Sequence, residues 1–394
     1  MNPRAPIPSG RLEARVQVPF SYPVLFCRDV FSPDQDTLCQ ALLPQPGAEA
    51  PPRVLVWLDA GLADAWPGLA DRARAWFTAR MPGLDLGRTA VFPGGEAVKD
   101  GWTHVHGMIR ELNHHNLCRK SAVVAVGGGA FLDAAGLACA LFHRGVNLVR
   151  LPSTVLSQND SGVGVKNGIN AEGKKNLLGA FAPPRAVVCD LDFLSTLPDD
   201  VMRDGLAESF KVAIIKDAAF FRFLCDNAPA LSQGEPAALE ESVVTTARLH
   251  VEHIAGGGDP FEMGVSRPLD FGHWAAHRLE SLSGYALRHG QAVAVGLALD
   301  TCYARFSGLV TDRELEDILT GISASGLPVW NDLLEQRDAS GQYAVLSGIE
   351  EFREHLGGRL AVTLPRGIGH RVEVDRMDTD LVIQCIASLK ERAA

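Results

Sequence analysis

Residues 121–181 constrain the fold of this 394-residue chain more than any other stretch. The stretch opens with the apolar run AVVAV, continues with the three glycines Gly127, Gly128 and Gly129, and then shows a helical pattern. A strand, a glycine turn and a helix in this order bring backbone N–H groups and the positive end of a helix dipole to one place, which suits a phosphate. The pattern GGGxxxD differs from the usual dinucleotide pattern GxGxxG, and such glycines can also serve packing alone.

A long polar connection after the second predicted strand, 146–151, favours the functional interpretation. It carries Asp160, Lys166, Lys175 and Asn176 among several glycines. Long connections are uncommon in compact domains unless they bind or catalyse. The whole stretch therefore predicts a dinucleotide cradle that faces a loop of phosphate-binding side chains.

Composition excludes several classes of function. A net charge of −10 and a pI of about 5.6 argue against general binding of nucleic acid or of an anionic membrane. No apolar run approaches the roughly 20 residues that cross a bilayer, and the N-terminus lacks the order of a signal peptide. Eight cysteines are scattered without a CxxC pair, which indicates reduced thiols and a cytoplasmic protein.

The hydrophobic pattern changes near residue 190 and predicts two domains, 1–190 and 191–394. Strands and helices alternate in the first, which predicts a mostly parallel sheet covered by helices. Its predicted strands lie in 11–31, 54–58, 89–92, 146–151, 186–190 and the run from 121, and its helices at 63–80 and 102–113. The second domain is predicted to be all-α, with helices at 200–216, 218–227, 237–254, 268–283, 290–307, 312–323 and 378–392.

Charged side chains follow two of the predicted strands. Asp59 comes at the end of one strand, where open α/β sheets bind ligands, although it could equally cap a helix. Glu96 and Lys99 follow the next strand and could contact a ribose or an adenine, or could form a plain surface pair.

Three side chains in the second half have the chemistry of a catalytic zinc site. Glu208, His273 and His289 lie on separate apolar helical segments, and a Glu–His–His set leaves a coordination position open for water or substrate. Lys211 and His277 share the helix faces of Glu208 and His273 respectively. Because a histidine on a helix is often only structural, the pattern alone leaves both interpretations open.

The ordered motifs of the chain resemble those of 3-dehydroquinate synthase and the wider sugar phosphate cyclases. They are GGEAVKD, VGGGAFLD, LPSTVLSQNDSGVGVKNGIN, KKNLLGAF, DLDFLSTLP, GLAESFK, FGHWAAH and RHGQAVAVG. The resemblance covers about residues 59–305. Iron-containing alcohol dehydrogenases share the architecture but lack the KNLLGAF and GLAESFK blocks.

The resemblance implies an NAD-binding α/β domain, a helical metal-binding domain and a site in the cleft between them. Contacts to NAD are implied for Asp59, Glu96, Lys99, Gly128, Gly129, Asp133, Ser153, Thr154, Asp160, Lys175, Phe193, Thr196 and Leu197. Zinc or cobalt would be bound by Glu208, His273 and His289. The sugar phosphate would be surrounded by Lys166, Asn176, Lys211 and His277. Arg144 resembles an arginine that binds phosphate across a homodimer interface, and the helix near Arg353 resembles the place of another such basic residue.

The family chemistry uses NAD as a recycled oxidant. A secondary alcohol is oxidised, phosphate leaves by elimination, the hydride returns, and an intramolecular aldol addition closes a carbocycle. The protein then mainly orients the substrate and stabilises negative charge.

Departures from the family pattern concern the clamp that dehydroquinate synthases use for a substrate carboxylate. The lysine position is Glu252, the arginine position is Ser266 with Arg267 adjacent, and the asparagine position is Asp270. Like charges in a partly desolvated pocket are unfavourable, so we expect a substrate without that carboxylate, such as sedoheptulose 7-phosphate. Two alternatives are a dehydroquinate synthase with a rearranged clamp and a silent binding relative. Valiolone-type synthases usually lose the second histidine of FGHxxxH, which this chain keeps as His277.

Overall fold

The structure, a computed structural model, describes residues 12–16, 18–43, 49, 52–257, 259–264 and 267–393. Its strands are β1 (Val24–Cys27), β2 (Arg53–Asp59), β3 (Asp85–Phe92), β4 (Ala122–Gly127), β5 (Asn147–Pro152), β6 (Lys166–Ala171), β7 (Lys174–Phe181), β8 (Ala186–Asp190), β9 (Val362–Pro365) and β10 (Arg371–Val374). Its α-helices are α1 (Thr37–Leu42), α2 (Ala60–Ala65), α3 (Leu69–Arg80), α4 (Thr103–His114), α5 (Gly129–Leu141), α6 (Asp199–Asp204), α7 (Leu206–Lys216), α8 (Ala218–Asp226), α9 (Ala228–Ser232), α10 (Pro236–Gly256), α11 (His273–Leu282), α12 (His289–Phe306), α13 (Asp312–Ala324), α14 (Ser347–His355) and α15 (Thr379–Ala393).

Six strands form one parallel sheet in the order β1-β8-β5-β4-β2-β3. Successive side chains of a strand point to opposite faces, so β2 contributes to two cores. Val54, Val56 and Leu58 pack on the face covered by α1 and α3. Leu55 and Trp57 pack on the opposite face with α4 and α5. Because both faces are covered, the central strand β4 and most of β2 are apolar and buried, whereas the edge strand β3 is partly exposed.

The second half packs around α12. From Ala292 to Ala304 every residue of this helix is buried, which places it at the centre of the helical layer. Helices α7, α11 and α15 contribute to the same core. The predicted fold class, a mostly parallel α/β domain followed by a helical domain, is confirmed.

Three helices predicted as continuous are broken at glycines. The segment 63–80 divides into α2 and α3 around Gly68, whose φ of 83° is left-handed. The segment 200–216 divides into α6 and α7 at Gly205. In 268–283 a short 3-10 turn precedes α11, and Gly272 between them has a φ of 79°.

The prediction of a long polar loop after β5 was wrong in part. A single π-helical turn, Ser157–Ser161, is followed by the antiparallel hairpin of β6 and β7. The second half also contains the antiparallel hairpin of β9 and β10, so it is not purely helical. Of the one or two strands predicted in 11–31, only β1 forms among the described residues. Within the described ranges, no helix combines the length and hydropathy that a bilayer crossing requires.

Candidate active site

The glycine turn closes the carboxyl end of β4 around Asp59. A Cβ atom on Gly127 would lie 2.5 Å from Cβ of Asp59 and 2.5 Å from Cδ1 of Phe131, so the position has no room for a side chain. A Cβ atom on Gly129, the first residue of α5, would lie 2.5 Å from Oγ of Ser161. The backbone of the turn is therefore free to approach a ligand at the N-terminus of α5.

Asp59 acts as a helix cap beside this turn. Its Oδ1 accepts hydrogen bonds from N of Gly61 at 2.8 Å and from N of Leu62 at 3.4 Å. Its Oδ2 accepts one from N of Gly128 at 3.4 Å. The two interpretations of Asp59 are thus compatible, because the cap lies at the edge where a ligand would approach.

Lys99 joins Asp133, which is predicted to contact the cofactor, to Asn176, which is predicted to contact the sugar phosphate. Its Nζ lies 2.8 Å from Oδ2 of Asp133 on α5 and also donates to Oδ1 of Asn176 on β7. Lys99 is buried despite its charge, which is tolerable because its ammonium is paired and hydrogen-bonded. The contacts tie the hairpin to the helix that follows the glycine turn.

Glu96 and Lys175 form a second polar link across the same edge. The Nζ of Lys175 lies 3.6 Å from Oε1 of Glu96, which accepts a hydrogen bond from Nδ2 of Asn170 at 2.8 Å. Lys175 also lies 2.6 Å from Oε1 of Glu280, a residue that sequence reasoning did not identify. These residues connect the first half of the chain with α11.

Ser153 and Thr154 follow β5 and flank the glycine turn. The N of Ser153 donates to O of Gly127 at 3.0 Å, and Ser153 is buried. The hydroxyls of Thr154 and Ser157 lie 2.9 Å apart and fix the first turn after the strand. This turn leads to Asp160.

Phe193, Thr196 and Leu197 lie after β8, next to a tryptophan that the sequence reasoning missed. The Nε1 of Trp66 donates to Oγ1 of Thr196 at 2.8 Å, and its ring meets that of Phe193 edge-on with centroids 5.6 Å apart. Trp66 and Phe193 also line a cavity of about 150 Å³. The hydroxyl of Thr196 is thereby engaged within the protein.

Glu208, His273 and His289 come together in the second half of the chain. Each offers a ligand atom, and these atoms all lie within 4.8 Å of one another. Oε1 of Glu208 lies 3.7 Å from Nε2 of His273 and 3.6 Å from Nε2 of His289, yet this fully buried oxygen has no hydrogen-bond partner among the described residues. Since a buried carboxylate oxygen normally has a partner, the trio suits a divalent cation.

The other nitrogen of each imidazole is already engaged. Nδ1 of His273 lies 3.0 Å from O of Phe271, a carbonyl that can only accept, so Nδ1 carries the proton and Nε2 is free. Nδ1 of His289 lies 3.4 Å from Oε2 of Glu280. Such partners fix the tautomer and the ring orientation of metal-binding histidines.

Charges around the trio favour metal-binding protonation states for two of its members. Burial would raise the pKa of Glu208, but Lys211, His289 and His273 together outweigh it and the pKa is lowered. Burial and then the charge of Lys211 lower the pKa of His273. Burial acts in the same direction on His289, but Glu280 and Glu208 outweigh it and raise its pKa to about 10, so metal entry displaces a proton there.

Lys211 connects the trio to Asp160. Its Nζ contacts Oε2 of Glu208 and lies 3.4 Å from Oδ1 of Asp160. The same oxygen of Asp160 lies 2.9 Å from Nδ1 of His250 on α10. Burial opposes ionisation of Asp160, but Lys211 and His250 lower its pKa well below the ordinary value.

A second group of potential ligands overlaps the first. Atoms of His277, Glu280 and His289 also lie within 4.8 Å of one another. His277 is the exposed member of this group, whereas Glu280 is buried. His289 belongs to both groups, and each of its ring nitrogens can bind a metal ion in only one of them.

Lys166 lies in a cluster of mixed charge at the start of β6. Its Nζ is 2.5 Å from Oε1 of Glu262, whose Oε2 is 3.2 Å from Nη1 of Arg267. Burial would lower the pKa of Lys166, but Asp270 and Glu262 outweigh it and raise that pKa. In return Lys166 lowers the pKa of Asp270 against the effect of burial. Two cations and two carboxylates thus neutralise each other.

Arg144 lies away from the other predicted site residues. It follows α5, whose 13 residues span roughly 20 Å from the glycine turn to the opposite edge of the sheet. Its side chain is exposed and has no ion pair among the residues that the structure describes.

Glu252 and Arg353 lie away from the other predicted site residues, and the position of Ser266 is not described. Glu252 is exposed, and its Oε1 pairs with Nη1 of Arg248 at 3.0 Å. Arg353 pairs with Glu350 on α14. Burial and then the charge of Arg267 lower the pKa of His355 on the same helix. Ser266 lies outside the described residues.

Glu280, His250 and Glu262 are site residues that the sequence reasoning missed. Glu280 follows His277 by three residues, so helical spacing could have identified it. His250 is remote in sequence from Asp160 and Glu262 is remote from Lys166, and no local pattern distinguishes them.

Comparisons with known proteins agree with this architecture. The sequence profile of the 3-dehydroquinate synthase N-terminal domain matches residues 89–204, and that of the C-terminal domain matches residues 205–346. A 3-dehydroquinate synthase from Xanthomonas campestris pv. campestris (strain 8004) is 35% identical over 329 residues, which cover 82% of this chain and 86% of that protein.

Solved structures of similar fold include two cyclases. A 2-epi-5-epi-valiolone synthase from Streptomyces hygroscopicus subsp. jinggangensis 5008, with NAD+ and Zn2+ bound, superimposes with a TM-score of 0.85 at 27% identity, covering 97% of this chain and 99% of that one. A 2-deoxy-scyllo-inosose synthase superimposes with a TM-score of 0.74 at 22% identity, covering 93% of this chain and 96% of that one, and this likeness concerns the fold alone.

Proposed function

Because the chain belongs to the 3-dehydroquinate synthase family, we propose that it is an NAD- and divalent-metal-dependent sugar phosphate cyclase. Its substrate in this proposal is a ketose phosphate without a carboxylate, of the sedoheptulose 7-phosphate type, which loses phosphate and closes into a carbocycle. The solved valiolone synthase with NAD+ and Zn2+ bound supports the choice of cofactors.

The residues of the site have distinct tasks in this proposal. Glu208, His273 and His289 would hold zinc or cobalt, and the glycine turn with Lys99, Asp133 and Glu96 would hold NAD. When bound, NAD supplies a hydride acceptor and donor, and the metal supplies positive charge for substrate oxygens.

Four other side chains would act on the substrate itself. Lys166 and Asn176 would orient the sugar phosphate, and Lys211 would stabilise negative charge beside the metal-binding trio. Arg144 would reach the phosphate from the second subunit of a homodimer, since it lies at the far edge of its own sheet.

One observation carries the choice of substrate: Glu262 pairs with both Lys166 and Arg267, and Asp270 adds a negative charge where the family pattern has a neutral asparagine. A substrate carboxylate entering this paired cluster would find no free cation, so its loss of hydration would not be offset by an ion pair. A neutral polyol end does not meet this cost. Glu252 adds nothing here, because its exposed carboxylate pairs with Arg248.

A second candidate is 3-dehydroquinate synthase itself, acting on 3-deoxy-arabino-heptulosonate 7-phosphate. The 35% identity to a protein of that name favours it. In this case Arg267 would have to leave Glu262 and meet the substrate. A catalytically silent role is disfavoured because the metal-binding trio and Lys166 are all retained.

The test is phosphate release by protein loaded with NAD and Zn2+. The two substrates are sedoheptulose 7-phosphate and 3-deoxy-arabino-heptulosonate 7-phosphate, and Lys166→Met protein serves as the inactive control. Release from the first alone supports the proposal. Release from the second establishes the alternative, and release from neither refutes both.

A further inference from the structure

Glu280 lies between the metal-binding trio and the hairpin of the α/β domain. It is 1% exposed, and its two oxygens face different partners. Oε1 lies 2.6 Å from Nζ of Lys175 on β7, and Oε2 lies 3.4 Å from Nδ1 of His289. One buried carboxylate thus touches a candidate metal ligand and a residue of the candidate dinucleotide site.

Lys175 also contacts Glu96, one of the residues predicted to bind the cofactor. Its Nζ lies 3.6 Å from Oε1 of Glu96 and 5.5 Å from the centre of the Tyr285 ring. Asn170 links Glu96 to Asn176, the residue after Lys175. Its Nδ2 donates to Oε1 of Glu96, and its Oδ1 accepts from N of Asn176 at 3.0 Å.

The next contacts end on the helix of the glycine turn. Asn176 has a left-handed φ of 51° and accepts from Lys99, which lies 2.8 Å from Asp133 of α5. A non-glycine residue keeps this conformation only when its surroundings hold it. The position of the hairpin therefore decides whether the Asn176–Lys99–Asp133 contacts form.

We propose that Glu280 is a positioning residue through which metal binding and NAD binding strengthen each other. This rests on the proposed metal ligands and NAD site. With a cation held by Glu208, His273 and His289, the His289 ring would stay oriented with Nδ1–H towards Glu280, the arrangement found when carboxylates partner metal-bound histidines. Glu280 then holds Lys175, and the hairpin is set for the dinucleotide.

Linkage gives this proposal a numerical form. If the metal raises the affinity for NAD by some factor, NAD must raise the affinity for the metal by the same factor. Coupling of this kind typically amounts to a factor of about 5 to 150. If Glu280 only fills space, the two ligands bind independently of it.

The experiment titrates NAD calorimetrically into chelator-treated full-length protein, with and without saturating Zn2+ and without substrate. In the unaltered protein we expect Zn2+ to tighten NAD binding at least about fivefold. In Glu280→Gln the factor should fall below about 2, because an amide keeps the volume but cannot balance Lys175 and accept from His289. Lys174→Gln, which changes the exposed neighbouring lysine, should keep the full factor.

A second variant covers the case in which Glu280→Gln loses the metal altogether. Lys175→Met leaves His289 and Glu280 in place, so it should bind Zn2+ and still lose the coupling. A factor of 1 in the unaltered protein, or a full factor in both variants, overturns the proposal. Because no substrate is present, these outcomes do not depend on which sugar phosphate the enzyme uses, and separate Zn2+ titrations report on the ligand assignment.

Discussion

Nζ of Lys166 lies 2.5 Å from Oε1 of Glu262, so the cation at the start of β6 is already paired within the protein. Glu262 also holds Arg267, and Asp270 adds a second carboxylate next to Lys166. The cluster is therefore close to neutral before any substrate enters. A neutral polyol adds no charge to this cluster, whereas an added carboxylate would have to compete with Glu262 and Asp270 for its cations.

Replacing Asp270 tests whether this charge selects the substrate. Asp270→Asn removes one negative charge at nearly constant volume and should raise kcat/KM for the carboxylated substrate roughly ten- to a hundredfold relative to sedoheptulose 7-phosphate. The measurement is phosphate release at subsaturating concentrations of each substrate.

Glu252→Lys is the matched control for the Asp270 substitution. It reverses an exposed charge that pairs with Arg248, so the ratio of the two kcat/KM values should stay within about twofold. A large change in this control together with an unchanged ratio in Asp270→Asn would show that the carboxylate end binds at α10 instead.

The two overlapping groups of potential ligands predict opposite effects of replacing His277 on metal content. If the metal lies between Glu208, His273 and His289, His277→Ala should retain about one Zn2+ per chain. His273→Ala should lose most of it, because Glu208 and His289 alone leave two ligands. The measurement is metal content by atomic emission after gel filtration.

His289→Ala should lose metal in either arrangement and serves as the common control. Loss of metal from His277→Ala with retention by His273→Ala would move the site to His277, Glu280 and His289. Circular dichroism of each variant checks that the fold is intact.

Arg144 allows a test of assembly that no single-chain assay offers. Arg144→Ala and Lys166→Met proteins should each be nearly inactive. When the two variants are refolded together, half of the dimers contain one chain of each. In each such dimer, one of the two sites has both Arg144 and Lys166. Activity should therefore recover to about a quarter of the unaltered level, as expected for a two-fold dimer with shared sites.

Recovery depends on Arg144 reaching the partner's site. Full activity of Arg144→Ala, or no recovery in the mixture while cross-linking shows mixed dimers, would contradict that role. Mixing Arg144→Ala with the unaltered protein provides the calibration.

Local patterns predicted the elements that short sequences determine. The apolar run 122–126 and its glycines are enough to predict β4, the turn and α5, because period and turn chemistry are local. The Glu208, His273 and His289 trio was proposed from residue chemistry on apolar helices, and the structure brings its ligand atoms within 4.8 Å.

Contacts between remote segments were not predictable in this way. Lys175 and Glu280 are 105 residues apart, so nothing in either local sequence indicates that they pair. The run KNGINAEGKKN predicts a loop, because glycine and asparagine are depleted in strands, whereas the structure forms the hairpin of β6 and β7 there. Tertiary contacts such as those of Arg150, which is fully buried and donates to O of Gly164 at 2.7 Å and to Oδ1 of Asn167 at 2.6 Å, hold that hairpin in place.

Asp190 at the end of β8 predicts a pH dependence of stability. Its carboxylate accepts from N of Asp29 at 3.1 Å, from N of Val30 at 2.8 Å and from N of Asp192 at 3.0 Å. Burial nevertheless raises its pKa to about 6 from the ordinary value of 3.8. The folded protein thus binds this proton more tightly than the unfolded chain, and the contribution of Asp190 to the free energy of unfolding falls as pH rises from about 4 to about 6.

Asp190→Asn removes this titration. The free energy of unfolding of the unaltered protein minus that of Asp190→Asn should fall across the same window, by at most about 1.4 kcal/mol per pH unit, and should be constant above about pH 7. Urea unfolding at several pH values between about 4.5 and about 7.5 measures it, with the exposed Asp64→Asn as the control for loss of a carboxylate. A difference that rises with pH would mean that the three backbone hydrogen bonds outweigh burial and that Asp190 stays ionised throughout the window.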